Sequence, residues 1–292
     1  AFAAMLLASA RPVATIVLPS TQQTIILAMD VSGSMRATDV EPNRLVASQN
    51  AAKAFLAELP RHVKVGIVAF AGTAQVVQSP TLSREDLVVA IDKFQLQRAT
   101  AIGSAIVVSL SEIFPDAGID LSSMVYGRDR QRGMAIDQKP SEPKEHTPVP
   151  PGSYSSAAII LLTDGQRTTG VDTMEAAKMA ADRGVRVYTV GFGTPNGFIP
   201  GYEGYSFFTK VDEESLKGIA KITEADYFKA GSAEDLKQVY KHLSTQFTME
   251  KRETEITALL SGLALVLVFL ALLLSALWFR LGPQNTFKSF VR

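Results

Sequence analysis

Residues 256–279 read ITALLSGLALVLVFLALLLSALWF, about 24 positions in a row without a charged side chain. At ~1.5 Å per residue, a helix of that length reaches about 36 Å, enough to cross a ~30 Å hydrocarbon core with some tilt. Trp278 and Phe279, followed by Arg280, suit an interfacial anchor. A buried core helix is the alternative, but the length and place of the stretch predict a transmembrane helix, with 280–292 as a short basic tail. Residues 1–10 (AFAAMLLASA) form a second apolar segment, too short to span. They read as the tail of a longer span or as part of a signal peptide, since Ala8-Ser9-Ala10 fits a small-residue cleavage site.

Between these segments the chain has the makings of a globular domain. With 47% apolar and 20% charged residues it can bury a sizeable core. Lys+Arg and Asp+Glu both number 29, so the long-range positive field of a nucleic-acid binder is missing. The absence of Cys removes disulfides, thiolate metal sites and Cys nucleophiles.

Short apolar, β-branched runs at 24–31, 63–70, 75–78, 157–163, 185–191 and 227–229 predict strands, with 13–18 as an edge strand beside the first. Helical patterns lie between them at 44–59, 84–94, 102–114, 173–183, 213–222 and 233–247. Strands that are apolar on both faces and separated by helices imply an α/β fold with a doubly wound, mostly parallel sheet over residues 11–250. Residues 251–255 are then a linker to the apolar stretch.

One segment breaks the alternation. Residues 115–156 hold six prolines and mixed charge without periodicity, too long for an ordinary loop in a compact domain. Chain direction predicts that this insertion leaves the amino-terminal edge of the sheet. There Met124, Val125, Tyr126, Met134 and Ile136, beside Arg128, Arg130 and Arg132, are expected to meet lipid or a neighbouring subunit.

The chemistry concentrates where strands end. Asp30-Val31-Ser32-Gly33-Ser34 closes the first central strand, and Thr163-Asp164-Gly165 closes the run AAIILLT in the same way. Thr100 precedes the helix beginning near Ile102. In open α/β sheets, ligands gather at the carboxyl ends of strands, so three segments can converge with two carboxylates and three hydroxyls. That donor set suits a hard divalent cation, above all Mg²⁺, with Mn²⁺ or Ca²⁺ as substitutes. The plain alternative makes the serines turn or cap residues and the aspartates loop carboxylates.

The order DVSGS, Thr100, TDG resembles the metal-ion-dependent adhesion site of von Willebrand factor A (VWA) domains. The stretches ILAMDVSGSM, DVEPNRL, VGIVAFAG, TAIGSAI, IILLTDG, VYTVGFGTP and LKGIAKITEADYFKAGSAEDLKQVY are similar to bacterial BatA-like membrane proteins associated with MoxR-type AAA+ ATPases. The resemblance implies that Ser32, Ser34 and Thr100 ligate the metal directly. Asp30 and Asp164 would act through bound water or by fixing the hydroxyls, and a partner's Asp or Glu would supply the sixth ligand. Relatives commonly carry Gly before the threonine, where Ala99 stands here.

Enzyme motifs are absent: there is no G-x-x-x-x-G-K-[ST], no G-x-G-x-x-G after the first strand and no H-E-x-x-H. A phosphatase of the aspartyl-phosphate kind would want a second Asp where Ser32 stands, to act as general acid. The expectation is therefore a membrane-anchored binding module without catalysis, the alternatives being a scaffold with a purely structural metal or a phosphatase-like enzyme. The resemblance places it in a bacterial cytoplasmic membrane with the VWA domain outside. It also implies a partner that shows an acidic side chain, with a MoxR-type ATPase and other membrane VWA proteins as associates, while the balanced charge points to no nucleic acid.

Overall fold

The computed structural model describes residues 13–17, 23–126, 147–164, 167–194, 197–199, 207–209, 211–248, 251–255 and 257–281. It divides into two compact units, Ser20–Thr248 and a second made of Ala1–Pro19 with Met249–Arg292.

In the larger unit, β2 (Thr24–Asp30), β3 (Lys64–Phe70), β4 (Ala74–Thr81), β5 (Ala157–Thr163), β6 (Arg186–Phe192) and β9 (Tyr227–Ala230) form one sheet in the order β4-β3-β2-β5-β6-β9. All neighbours run parallel except β4, which is antiparallel to β3 at the edge. β4 runs to Thr81, past the expected 75–78, and its Pro80 is tolerated because an edge strand needs no donor on its outer side. The long helices are α1 (Arg44–Glu58), α2 (Arg84–Asp92), α3 (Ile102–Ile113), α5 (Thr173–Asp182), α6 (Glu213–Ile222) and α7 (Ala233–Thr248), with a single turn α4 (Leu121–Met124) after α3. Their starts carry local signals. The side chain of Asn43 accepts from the Val46 amide at 2.9 Å, and that of Asp172 from the amides of Met174 and Glu175.

Alternation along β2 sends Ile25, Leu27 and Met29 into a core with Phe55, Leu87 and Tyr240 of α1, α2 and α7. Ile26 and Ala28 enter a second core with Ile106, Ala176 and Leu216 of α3, α5 and α6. Both faces of the sheet are thus covered, as the two-sided apolar runs predicted. After β2 the chain turns to β3 on one side and later crosses to β5 on the other. The β2/β5 pair is therefore the topological switch point, where a doubly wound sheet opens a crevice at its carboxyl edge.

The insertion is structured at both described ends. A 3-10 turn at Pro115–Ala117 and α4 fold back along α3, burying Val125 in the second core. The Tyr126 hydroxyl donates to the Ala74 carbonyl at 3.1 Å, beside the carboxyl end of β3. On the return, the Val149 amide reaches Asp182 O at 2.8 Å and the Tyr154 amide reaches Gly184 O at 2.9 Å, at the amino-terminal end of β6. Only the returning end keeps to the amino-terminal edge. Apolar packing along α3 carries the outgoing end back across the domain, so Met124 and Val125 serve the core. Residues 127–146, with Met134, Ile136 and the three arginines, lie outside the described residues.

In the smaller unit, β1 (Val13–Val17) pairs antiparallel with β10 (Lys251–Glu255), Val13 facing Glu255 and Val17 facing Lys251. Pairing of 13–17 with β2 is not available, since β3 and β5 already occupy both edges of β2. The 251–255 stretch, expected as a linker, is the strand that completes this ribbon. The apolar stretch forms one helix, α8 (Thr257–Leu281), whose large side chains from Leu265 to Leu277 are 39–69% exposed, Val268 being less so. Among the described residues no helix is long and apolar enough to cross a membrane.

Candidate metal centre

Asp30 is the last residue of β2 and Asp164 the first beyond β5, so two adjacent parallel strands deliver two carboxylates to one end of the sheet. Both are fully buried. The Asp30 carboxylate is held from two sides: the Ser32 amide donates to Oδ1 at 2.7 Å and the Thr163 hydroxyl to Oδ2 at 2.5 Å. After Asp30 the chain enters a 3-10 turn, Gly33–Arg36, which brings the Ser32 and Ser34 hydroxyl oxygens to 2.9 Å from each other.

Thr100 arrives on the segment before α3. The Gln97 amide donates to Val31 O at 2.8 Å, and an isolated parallel bridge joins Gln97 to Ser32, which ties this segment to the serine turn. From the other side the Thr100 amide donates to the Thr168 hydroxyl at 2.8 Å, while its carbonyl accepts from the amides of Thr168 and Thr169. Ala99 takes a left-handed conformation, φ +66°, to make the approach. The five predicted residues therefore stand at a strand end and on turns and loops joined to one another at the carboxyl edge, with Ser34 the most open of them. Gly165 lies outside the described residues.

The electrostatics of the pair are strained. Burial pushes the Asp30 carboxyl up, to about 7, and the neighbouring Asp164 carboxylate pushes the same way, against the hydrogen bonds from Ser32 and Thr163. A like-charged buried pair of this kind is costly, and a proton or a nearby positive charge relieves it. Two carboxylates behind a pair of hydroxyls fit a hard divalent ion. Among the described residues no group of three His, Cys, Asp or Glu could hold a metal, so a cation here would need oxygen donors besides these carboxylates, and the neighbouring hydroxyls are of that kind.

Sequence reasoning missed one component. Arg44 has a fully buried side chain; its Nη1 lies 3.5 Å from Asp164 Oδ2, while its Nε and Nη2 grip the two oxygens of Asp39 at 2.8 Å each. The same Asp39 Oδ2 accepts from the Thr194 amide at 2.7 Å and the Thr194 hydroxyl at 2.8 Å. Burial alone would raise the Asp39 carboxyl, but the Arg44 and Thr194 bonds hold it down at about 2. Gly193 makes room: at φ +130°, a Cβ there would lie 2.3 Å from Arg44 Cζ. Arginine is mostly found at surfaces, so position 44 looked like an ordinary helix start. The spacing of Asp39 and Arg44 within DVEPNRL was the available signal.

The loop after β6, rich in aromatic residues at Phe198, Tyr202, Tyr205, Phe207 and Phe208, begins just past Thr194. Its backbone forms a hairpin of β7 (Gly197–Ile199) and β8 (Phe207–Thr209). Pro200, Tyr202 and Tyr205 lie outside the described residues.

A doubly wound sheet with a D-x-S-x-S turn at its switch point is the architecture of a von Willebrand factor type A domain, and that domain family matches residues 25–139 and again 151–242. The UPF0353 protein of Mycolicibacterium vanbaalenii is 38% identical over 249 residues, covering 83% of this chain and 66% of the relative. The UPF0353 protein of Mycobacterium bovis BCG is 36% identical over 277 residues, covering 92% and 74%. The chain thus spans about two thirds to three quarters of the length of these relatives. Among solved structures, BatB from Bacteroides thetaiotaomicron superposes with a TM-score of 0.55 at 25% identity, covering 76% of this chain and 98% of that one. Proximal thread matrix protein 1 from the mussel byssus, with zinc occupying its MIDAS motif, shares the fold at a TM-score of 0.54 and 20% identity, covering 82% and 49%. The chain belongs to the UPF0353 family of BatA/B-like VWA proteins.

Proposed function

We propose that this protein is a membrane-anchored binding module that captures an acidic group of a partner protein through a divalent cation, Mg²⁺ in the first instance, and performs no catalysis. The observation that carries this reading is the pair of buried carboxylates, Asp30 and Asp164, behind the Ser32–Ser34 hydroxyl pair at the switch point. Ser32, Ser34 and Thr100 would hold the ion, with Asp30 and Asp164 balancing its charge from behind. Because the hydroxyl donors are neutral, the ion keeps a strong demand for an external anionic oxygen. A bound cation supplies electrostatic attraction, and the chain's own residues orient it. The zinc reported at the corresponding motif of the mussel protein favours a divalent ion in this fold without selecting which one.

Two features support the anchor. Val13 faces Glu255, so the chain enters β1 and leaves β10 at the same end of the ribbon. Along α8, large apolar side chains stand exposed over several turns, a surface that water disfavours and lipid accepts. A relative of the same fold from Bacteroides fragilis is described as an aerotolerance-related membrane protein. The wider proposal, a MoxR-linked envelope complex in a bacterial cytoplasmic membrane with this domain outside, rests on the family resemblance.

Calorimetry with Mg²⁺ and Mn²⁺ tests the site. Asp30→Asn, Ser32→Ala and Asp164→Asn are each expected to lower cation affinity at least a hundredfold. Addition of an acidic peptide should raise wild-type affinity for the ion. Unchanged affinity in Asp30→Asn would refute the site, and cation binding indifferent to any carboxylate ligand would make the metal structural.

A further inference from the structure

Arg44 and Asp39 are not proposed as cation ligands, yet they form a continuous hydrogen-bonded connection, buried at Arg44 and part-buried at Asp39 and Thr194, from the site to the loop that follows β6. At one end Arg44 Nη1 meets Asp164 Oδ2 at 3.5 Å; at the other, Asp39 takes both the amide and the hydroxyl of Thr194. The two-pronged contact between Arg44 and Asp39 fixes both orientation and distance, which a single bond to a lysine would not. Gly193 lets the guanidinium lie against the backbone at the point where the loop begins, and the Gly193 amide is itself pinned to Ala230 O at 3.0 Å.

Charge supplies a second, independent argument. In their ionised forms Asp30, Asp39 and Asp164 bring three negative charges to this cluster and Arg44 one positive. The remainder is two negative charges, which one divalent cation balances. Removing Asp39 leaves a single negative charge against a doubly charged ion, and frees Arg44 to bind Asp164 in the ion's place.

We infer that Asp39 and Arg44 are positioning residues, which set the charge and orientation of Asp164 for the cation and, through Thr194, tie the start of the β6–α6 loop to the state of that site. The inference rests on the metal reading of the site. By linkage, whatever the cation does to the loop, a ligand held by the loop does to the cation.

The test compares the full chain with its Asp39→Asn variant, using Mn²⁺ alone as the probe. Affinity is read by calorimetry well below the melting temperature, and amide hydrogen exchange at Thr194 is read without metal. The variant is expected to bind Mn²⁺ about tenfold more weakly and to exchange at Thr194 about tenfold faster. A purely structural role for Asp39 would lower the melting temperature and leave Mn²⁺ affinity where it was. Either quantity remaining at the wild-type value overturns the inference. A wild-type chain that takes up no Mn²⁺ refutes the metal reading itself, and the inference with it. A wild-type chain that binds, matched by an equally avid variant, refutes the positioning alone. Should Asp39→Asn fail to fold, Thr194→Val decides, since it keeps every charge and ligand and removes one of the bonds on Asp39. Its expected effect is about threefold in each quantity, and wild-type behaviour in both overturns the inference.

Discussion

Ala99 shows how one residue can carry strain for a site. Its φ of +66° costs an L-residue about 1–2 kcal/mol, while glycine accepts it freely. Part of that gain is returned through the greater freedom of glycine in the unfolded chain. Ala99→Gly is therefore expected to stabilise the protein by about 0.5–1 kcal/mol, seen as a higher urea midpoint with an unchanged slope. A lower midpoint would mean that the left-handed turn is not present in solution. Asp39 offers a second prediction at this scale. Its carboxyl ordinarily titrates near 3.8 and is held at about 2 in the folded protein. A depressed carboxylate contributes stability that is complete above the unfolded value and lost as pH falls through the folded one. Stability attributable to Asp39 should thus decay between about pH 4 and pH 2, and Asp39→Asn should flatten that part of the curve. The departure at Ala99 was legible in the sequence, since glycine was expected there. Arg44 was not, because burial of an arginine follows from distant partners at 39, 164 and 193 that no local pattern reveals.

At the level of elements, the strands and helices of the sheet followed from periodicity because each buries an apolar stripe or both faces. The pieces that periodicity could not reveal are those held by specific contacts: the 3-10 turn of the serine motif, the β7–β8 hairpin and the β1–β10 ribbon. The pairing of β1 illustrates why. A short apolar strand states that it needs an edge, and only the rest of the sheet decides which edge is open. The segment 168–172 is another such piece. It joins the site to α3, where the Ser104 hydroxyl accepts from the Val171 amide at 3.3 Å and the position of a Gly103 Cβ would fall 2.3 Å from Val171 O. Gly103→Ala must push this segment off α3, and a loss above about 2 kcal/mol is expected on thermal unfolding. Thr168→Val is milder and more telling. It leaves the Thr100 amide without its acceptor, which costs about 1–3 kcal/mol where the group stays buried. Cation affinity should fall with it, by about tenfold, if Thr100 is a ligand. Loss of stability with unchanged Mn²⁺ affinity would remove Thr100 from the ligand set and leave it a structural residue.

For the whole molecule, the division at Thr248 makes the last prediction. The unit Ser20–Thr248 owns the complete six-stranded sheet, both cores and all five predicted site residues. β1 finds its only strand partner among the described residues in β10, so neither belongs to that sheet. A chain cut to 20–248 should therefore keep its fold and its cation site, with Mn²⁺ affinity within about threefold of the full chain, while losing the exposed apolar surface of α8. Burying a large apolar side chain is worth about 1.5–3 kcal/mol, and α8 presents a run of them from Leu265 to Leu277, so the uncut chain is expected to sediment with membranes and require detergent for release. The truncated form should remain in the supernatant. Flotation of both forms with lipid vesicles, paired with Mn²⁺ calorimetry on the truncated one, separates the two halves of the proposal. An uncut chain that stays in solution without detergent would refute the anchor and leave the site untouched. A truncated form that folds but ignores Mn²⁺ would show that the site needs the rest of the chain, against the independence that its sheet, cores and hydrogen bonds imply.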